Sequence, residues 1–357
     1  MNKRAAVVGA GVIGSLMAWR LSKSGWSVDL FDQDEQPTRN CSFAAAGLLD
    51  SVGALEDAEP LINELAGASL EMWASIVKAL PEPVFFQRRG TLALVHSNDM
   101  EQLDQWEHRI RRLNPTAAME RLRGDALFAI EPEIDRRFQE GLYFPLEGNI
   151  DNRALLRALH RQLRHLVAGM HFGTHVENLS IGTVQTATAT RTYDQVIDCR
   201  GVRASAPGIR GVRGELFVVR APDVAISRPV RLLHPKQPVY VVPRSKDTYV
   251  VGATQIECED YSPVTVRSTL ELLSAAYVIH GGFGEAEVLE SVTQCRPAFN
   301  DNQPRTFFRD GVLHVNGLFR HGFLVSPKLT ELACELLEHG TLAPQYKPLE
   351  TEATRCA

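Results

Sequence analysis

The sequence predicts an α/β fold in two parts, a β-α-β unit of parallel strands at its start and an α+β part built on antiparallel strands. Three observations carry this. A strand, a glycine turn, a helix and a second strand fit within the first 32 residues; polar and apolar residues alternate repeatedly between 174 and 257; and 357 residues exceed what one hydrophobic core of usual size takes in.

In chain order, residues 5–8 (AAVV) form a short apolar run ending at Gly9, and 12–22 carry Ile13, Leu16, Met17 and Leu21 at helical spacing. WSVDLFD follows Gly25 and ends in Asp32, which completes the β-α-β unit. Helical spacing returns over 61–80, VFFQRRGTLALV reads as two strands broken near Gly90, and 101–125 reads as a charged, Leu-bearing helix. GLYFPLEGNIDNR is a strand and turn leading into a helix over 153–167. Strands follow at THVENLSIGTVQTATATRTY, VIDCRG, RGELFVVRA and PVYVVPRSKDTYVVGATQIE, whose alternation predicts an antiparallel sheet. A helix over 265–280, a strand at VLHVNG and a helix over 328–338 stopping near Gly340 close the pattern, and the last 15 or so residues read as loose. No linker or repeat divides the chain, so the two domains are expected to interleave, with crossings near 85, 150, 210 and 300.

Composition narrows the function. Apolar residues make up 44% and charged residues 23%, and 38 basic against 43 acidic residues give a formal charge of −5 without long single-sign runs. That excludes a basic footprint for nucleic acid or an anionic membrane and points to a small-molecule partner. The six cysteines form no CxxC pair and no metal-ligand cluster. With no secretory signature in AAVVGAGVIG and no apolar run of spanning length, a soluble cytoplasmic protein with reduced thiols is expected.

Gly9-Ala10-Gly11-Val12-Ile13-Gly14 follows a strand and opens a helix, the context in which G-x-G-x-x-G has physical meaning. Gly9 permits the tight turn, Gly11 lets backbone approach a pyrophosphate, Gly14 lets helix and sheet pack closely, and the helix N-terminus offers N–H groups to phosphates. Asp32, 18 residues past Gly14, is placed for ribose hydroxyls and argues against a 2′-phosphate. FAD and NAD both satisfy this Rossmann-like fingerprint. Cys41-Ser42-Phe43-Ala44-Ala45-Ala46-Gly47-Leu48-Leu49 has side chains small enough for a flat ring to lie on, or for a close-packed helix or loop.

These stretches resemble the D-amino-acid oxidase superfamily of flavoproteins, and within it the glycine oxidase branch associated with thiamine biosynthesis (ThiO). The segments that carry the likeness are VVGAGVIG, CSFAAAGLL, PVYVVPR with VVGAT, and CRPAFNDNQP with NGLFRHGFLVSP; it covers nearly the whole chain except the last 15 residues. The resemblance implies a Rossmann-like FAD-binding domain (1–85, 150–210 and 300–357) and a substrate domain with a large, mostly antiparallel β-sheet (86–149 and 211–299). It makes Arg320 the partner of a substrate carboxylate and Tyr240 a hydroxyl donor to it, which suits the planar fork of a guanidinium; otherwise Arg320 reads as a structural ion pair and Tyr240 as a core aromatic. It places Arg296 close to the flavin, where a positive charge favours the reduced ring, with a surface arginine as the other reading. It puts Ser42, Ala45, Ala46, Gly47, Val176, Gly201, Gly317, Gly322 and Phe323 with the glycine turn and Asp32 around non-covalent FAD.

The sequence departs from that pattern at Cys199-Arg200, where small residues are usual, at Gly214-Glu215 and at His321; the last two are expected to alter pocket polarity. Cys295 lies one residue past a position of covalent flavin attachment in sarcosine oxidases and reads as a small core residue. The activity implied is oxidative deamination of a small amino acid, glycine first, by hydride transfer from Cα to flavin N5 with O₂ as acceptor and H₂O₂ as product, in thiamine (thiazole) biosynthesis. The alternatives are a sarcosine, D-amino-acid or other amine as substrate, another electron acceptor, or a non-catalytic flavin-binding subunit. A thiazole synthase is the implied partner, and a homo-oligomer is expected by analogy.

Overall fold

The computed structural model describes residues 2–56, 60–204, 206, 208–233 and 238–351. Its first half runs β1 (Arg4–Val8), α1 (Val12–Lys23), β2 (Ser27–Phe31), β3 (Leu48–Leu49), α2 (Pro60–Ala79), β4 (Phe86–Gln87), β5 (Thr91–Leu94), α3 (Met100–Leu113), β6 (Glu120–Arg123), α4 (Asp125–Ile130), β7 (Glu140–Phe144), β8 (Gly148–Ile150), α5 (Asn152–Leu166) and β9 (Gly169–His171). The second half adds β10 (Val176–Ser180), β11 (Thr183–Thr186), β12 (Thr190–Thr192), β13 (Gln195–Asp198), β14 (Arg210–Arg220), β15 (Val230–Leu232), β16 (Val239–Pro243), β17 (Thr248–Gly252), α6 (Val266–Ile279), β18 (Glu287–Ala298), β19 (Arg305–Arg309), β20 (Val312–Asn316) and α7 (Gly322–His339).

A strand that is apolar at every position must be covered on both faces, and β1 is. Ala5 and Val7 pack into the core formed with α1, α2, α5 and α7. Ala6 and Val8 pack the other way, under the small sheet β10-β11-β12. Among the described residues β1 sits inside a six-stranded sheet of order β19-β20-β13-β1-β2-β9, parallel throughout except for β19 against β20. The glycine turn therefore opens at the carboxyl edge of a central parallel strand, the position where α/β sheets bind ligands.

The second sheet has the order β18-β14-β17-β16-β15-β5-β7-β6 and is antiparallel except where β15 runs parallel to β5. Its alternation sorts side chains by face. Val230, Leu232, Val239, Val241, Phe217 and Val219 pack against Leu272, Ala276 and Ile279 of α6. Their neighbours Arg231 and Tyr240 leave by the opposite face, which looks toward the first sheet. Short strands β3, β8 and β4 form a further three-stranded sheet of order β3-β8-β4.

Several segments differ from the sequence expectation. The helix expected over 101–125 ends at Leu113, because Pro115 disfavours helical backbone at Asn114; β6 follows and is pinned to α3 through Arg121, which pairs with Asp104, Glu107 and Glu140. The last helix begins at Gly322 rather than 328. Pro327 lies inside it, and the carbonyl its missing N–H leaves over, that of Phe323, accepts the indole N–H of buried Trp73 at 2.6 Å. The tail expected to be loose forms a 3₁₀ turn, Pro344–Glu350, that buries Leu349 in the main core; residues 352–357 lie outside the described set. Strands β3, β9, β15, β18 and β19 were not read from the sequence: β3, β9 and β15 are two or three residues long, and β18 and β19 carry charged residues along their length; β13, expected in an antiparallel sheet, runs parallel to β1 and β20.

Candidate active site

A cavity of about 1700 Å³, counting its open mouth, lies between the two large sheets. One end is the glycine turn. Gly9 has φ +101°, and a Cβ there would lie 2.6 Å from the Cys199 carbonyl oxygen, while a Cβ at Gly14 would overlap the Gly9 carbonyl. Both positions exclude any side chain. Gly11, Val12 and Ile13 face the cavity, and the Val12 N–H donates to Ser42 Oγ at 3.0 Å. Asp32 closes β2: its Oδ2 accepts from Ala10 N at 2.7 Å and its Oδ1 from Asp34 N at 3.0 Å, and burial raises its pKa against those bonds.

The small-residue segment 40–47 forms one wall, and its backbone is held from behind. Asn152 Nδ2 donates to the Ser42 and Phe43 carbonyls, Arg153 Nε to Phe43, and Arg244 to Ala46 and to Asn152 Oδ1. Gly47, with φ +65°, closes against the Ile150 carbonyl. Ser42, Ala44, Ala45, Ala46 and Gly47 thus present a flat, nearly side-chain-free surface to the cavity.

At the other end stand Tyr240, Arg296, Arg320 and His321. Burial raises the Tyr240 pKa, so its hydroxyl stays protonated; among neighbouring charges Arg296 is the strongest influence, ahead of Asp50, Arg231 and Arg320. Arg296 crosses over Gly214, where a Cβ would overlap the guanidinium. It donates to the carbonyls of Thr254 (3.1 Å) and Arg213 (3.4 Å), and among the described residues it meets no carboxylate. Burial pulls its pKa down, the electrostatic mark of a desolvated cation. His321 is buried and uncharged: burial, then Arg320 and Arg231, push its pKa well below the usual value. Gly322 and Phe323 bring the N-terminus of 18-residue α7, with its positive dipole end, to the same wall.

A model of the DAO family, described as FAD dependent oxidoreductase, matches residues 4–336. The chain belongs to that family. A Rhizobium etli chain that carries the name thiamine biosynthesis oxidoreductase ThiO is 40% identical over 337 residues, 94% of this chain and 96% of that one. A glycine oxidase of Geobacillus kaustophilus is 26% identical over 361 residues, 96% and 95% of the two chains. A bifunctional ThiO/ThiG protein of Nostoc is 22% identical, over 94% of this chain and 53% of its own length. The crystal structure of glycine oxidase from Geobacillus kaustophilus shares the fold, with a TM-score of 0.87 over all of both chains at 23% identity.

As a DAO-family oxidoreductase the protein uses FAD, and the residues present fit that group. Gly11 lines the cavity with bare backbone beside Ser42, where a pyrophosphate can be approached, segment 42–47 offers a surface for a flat ring, and Arg296 offers a buried cation to an anionic ring edge or substrate. Of the positions singled out in the sequence, the structure brings Gly9, Gly11, Val12, Ile13, Asp32, Ser42, Ala45, Ala46, Gly47, Gly201, Tyr240, Arg296, Arg320, Gly322 and Phe323 to one cavity. Gly14, Val176 and Gly317 stand apart from its lining. Gly14 serves the turn, Val176, the first residue of β10, packs with Val184 and Tyr193, and Gly317, with φ +77°, makes room for Phe299.

The departures from the DAO pattern resolve unequally. Glu215 faces away from the cavity and is tied to Arg213 (2.6 Å) and Thr254, so it does not set pocket polarity, whereas His321 lines the cavity. Arg200 lines it too and pairs with wholly buried Asp198 at 2.8 Å. Cys295 is buried on β18 against the Asp260 carbonyl. Sequence reasoning missed Asp50 and Arg231, an ion pair on the cavity wall directly across the strand from Tyr240. The signal was present: Arg231 is a lone charge at the centre of PVRLL, where alternation sends it to the face Tyr240 occupies. It also missed Glu147, buried behind that pair. Burial and Asp50 push its carboxyl up to about 8 although Val52 N, Gly53 N and Thr91 Oγ1 all donate to it. Among the described residues no cluster is placed to hold a metal, and no helix is long and apolar enough to cross a membrane.

Proposed function

We propose that the protein oxidises a small amino acid, glycine first, to its imine, with O₂ as the final acceptor and H₂O₂ as product. The observation that carries this reading is the pairing of a protonated phenol, Tyr240, with a buried guanidinium, Arg296, whose partners among the described residues are carbonyls. Such a pair suits one α-carboxylate, and Arg320 adds a second positive charge. The carbonyl partners of Arg296 support a reading in which it shares the carboxylate with Tyr240 and Arg320.

FAD supplies the two-electron acceptor and passes the electrons on to O₂. The chain supplies position and field. Tyr240 and the two arginines fix the carboxylate and so restrict where Cα can lie, which is the larger part of the rate enhancement when no base is needed at carbon. Uncharged His321 and the α7 N-terminus add donors without adding an acid. We place cofactor binding in 1–85, 150–210 and 300–357 and substrate binding in 86–149 and 211–299, a division supported by the strands each sheet draws on. Similarity to the ThiO and ThiO/ThiG chains supports a place in thiamine biosynthesis, with a thiazole synthase consuming the product.

Anaerobic mixing with glycine tests this. The absorbance of oxidised flavin near ~450 nm is expected to bleach and to return on admission of air with H₂O₂ formed. A flavin that stays oxidised with glycine but bleaches with sarcosine or D-alanine moves the substrate, and one that no amine reduces removes the reading.

A further inference from the structure

Among the described residues the lining contains two carboxylates. Asp32 belongs to the glycine turn and is occupied by two backbone N–H groups; Asp50 stands at the Tyr240 end. Its position is over-determined. Oδ2 pairs with Arg231, whose guanidinium stacks 5.5 Å over buried Trp106 and also donates to the Gly53 carbonyl at 3.3 Å. Asp50 O accepts from Ala54 N at 2.8 Å, and Glu147 Oε1 fixes Val52 N and Gly53 N at 2.6 and 2.7 Å. Asp50 Oδ1 takes no hydrogen bond among the described residues, while the residue lines the cavity. A carboxylate held this firmly with one oxygen left open is a preorganised acceptor for a cationic N–H donor.

We propose that Asp50 recognises the substrate's amino group, which makes the cavity selective for small zwitterionic amino acids over carboxylic acids that lack the amine. This rests on the amino-acid oxidase reading and deepens it: the carboxylate end meets Tyr240, Arg296 and Arg320, and the ammonium end meets Asp50. The charged and titratable groups around Asp50 are Arg231 from β15, Tyr240 from β16, Glu147 ahead of β8, and Arg320 and His321 ahead of α7.

The test uses FAD-loaded protein and two ligands that differ only in the amine, glycine and acetate. Glycine affinity is read from anaerobic flavin reduction and acetate affinity from the perturbed flavin spectrum. Asp50→Asn is expected to weaken glycine on the order of 10- to 100-fold, the worth of a charged hydrogen bond, while acetate binds as before or more tightly, since an anion near it has gone. Asp50→Ser is expected to show the same opposed changes, and Asp50→Glu, which keeps the charge and a partner for Arg231, to recover most of the glycine affinity. If both ligands weaken by the same factor, Asp50 only shapes the loop, and the proposal is overturned; if neither changes, it is overturned as well. A wild-type flavin that no small amino acid reduces overturns the oxidase reading itself and is seen before any variant is made. A wild type that glycine reduces, with unselective variants, overturns the role of Asp50 alone.

Discussion

Arg296 and Tyr240 show how much a single position can carry. If they hold the carboxylate together, Tyr240→Phe removes one hydrogen bond to a charged group, and kcat/KM for glycine should fall on the order of 10- to 100-fold with the flavin still bound. Arg296→Lys should cost more, because an ammonium cannot keep the bonds that Nη1 makes to the Thr254 and Arg213 carbonyls and still offer a planar fork to a carboxylate. Stopped-flow reduction of each variant measures both. His321 makes a sharper pH statement. Its pKa lies well below 6.5, so it stays uncharged throughout pH 6–8, and His321→Asn should leave any inflection of kcat/KM in that range where it is. Most of these residues could be named from the sequence, since each sits in a motif whose backbone context is local. Asp50, Arg231 and Glu147 could not be joined from sequence, because they come together only when β15 is laid beside β16 and the 50–53 turn is drawn against Glu147.

Helices and turns set what the residues can do. The Trp73 indole replaces the N–H that Pro327 lacks, and so holds the first turn of α7 where Gly322 and Phe323 face the cavity. Trp73→Phe keeps the packing but orphans a buried carbonyl, which should cost about 1–3 kcal/mol in urea unfolding and loosen FAD retention. The turn at 50–53 predicts a pH effect through Glu147. Its folded pKa, raised to about 8 from an ordinary 4.5, means the folded state keeps a proton that the unfolded chain has released. Stability therefore falls as pH rises between those two values. Glu147→Gln, always neutral, should show a smaller loss of melting temperature than wild type between pH 5.5 and 8.5. Element type was readable wherever period and caps agreed, as at Thr265, which caps α6 through Ser268 N, and Asp151, which caps α5. It failed where one proline decided the outcome: Pro115 ended a helix that periodicity would have continued, and Pro327 hid the five residues of helix ahead of it.

At the scale of the whole molecule, the cavity is the seam between two sheets, and FAD is expected to fill much of it. A ligand that binds only the folded state stabilises by mass action, so FAD at a hundredfold excess over its dissociation constant should add roughly 2.7 kcal/mol. Differential scanning calorimetry of apo and reconstituted protein should show the apo form melting earlier, with the two sheets less tightly coupled in one transition. The two-part architecture was legible because parallel and antiparallel strands leave different periodicities. The order of strands within each sheet was not, since β1 and β15 each have one partner near in the chain, β2 and β16, and one remote, β13 and β5. That remoteness has a consequence for biosynthesis. In synthesis the central strand β1 precedes its neighbour β13 by almost two hundred residues and the wall formed by Arg320 and α7 by more than three hundred. A nascent chain therefore carries the apolar AAVV segment with only one of its two sheet neighbours until β13 is made, and has no finished pocket to hold a flavin until α7 is made. Cofactor capture belongs after α7 has emerged, and in cells short of flavin the newly made apoprotein, rather than the mature enzyme, should be the form that engages chaperones.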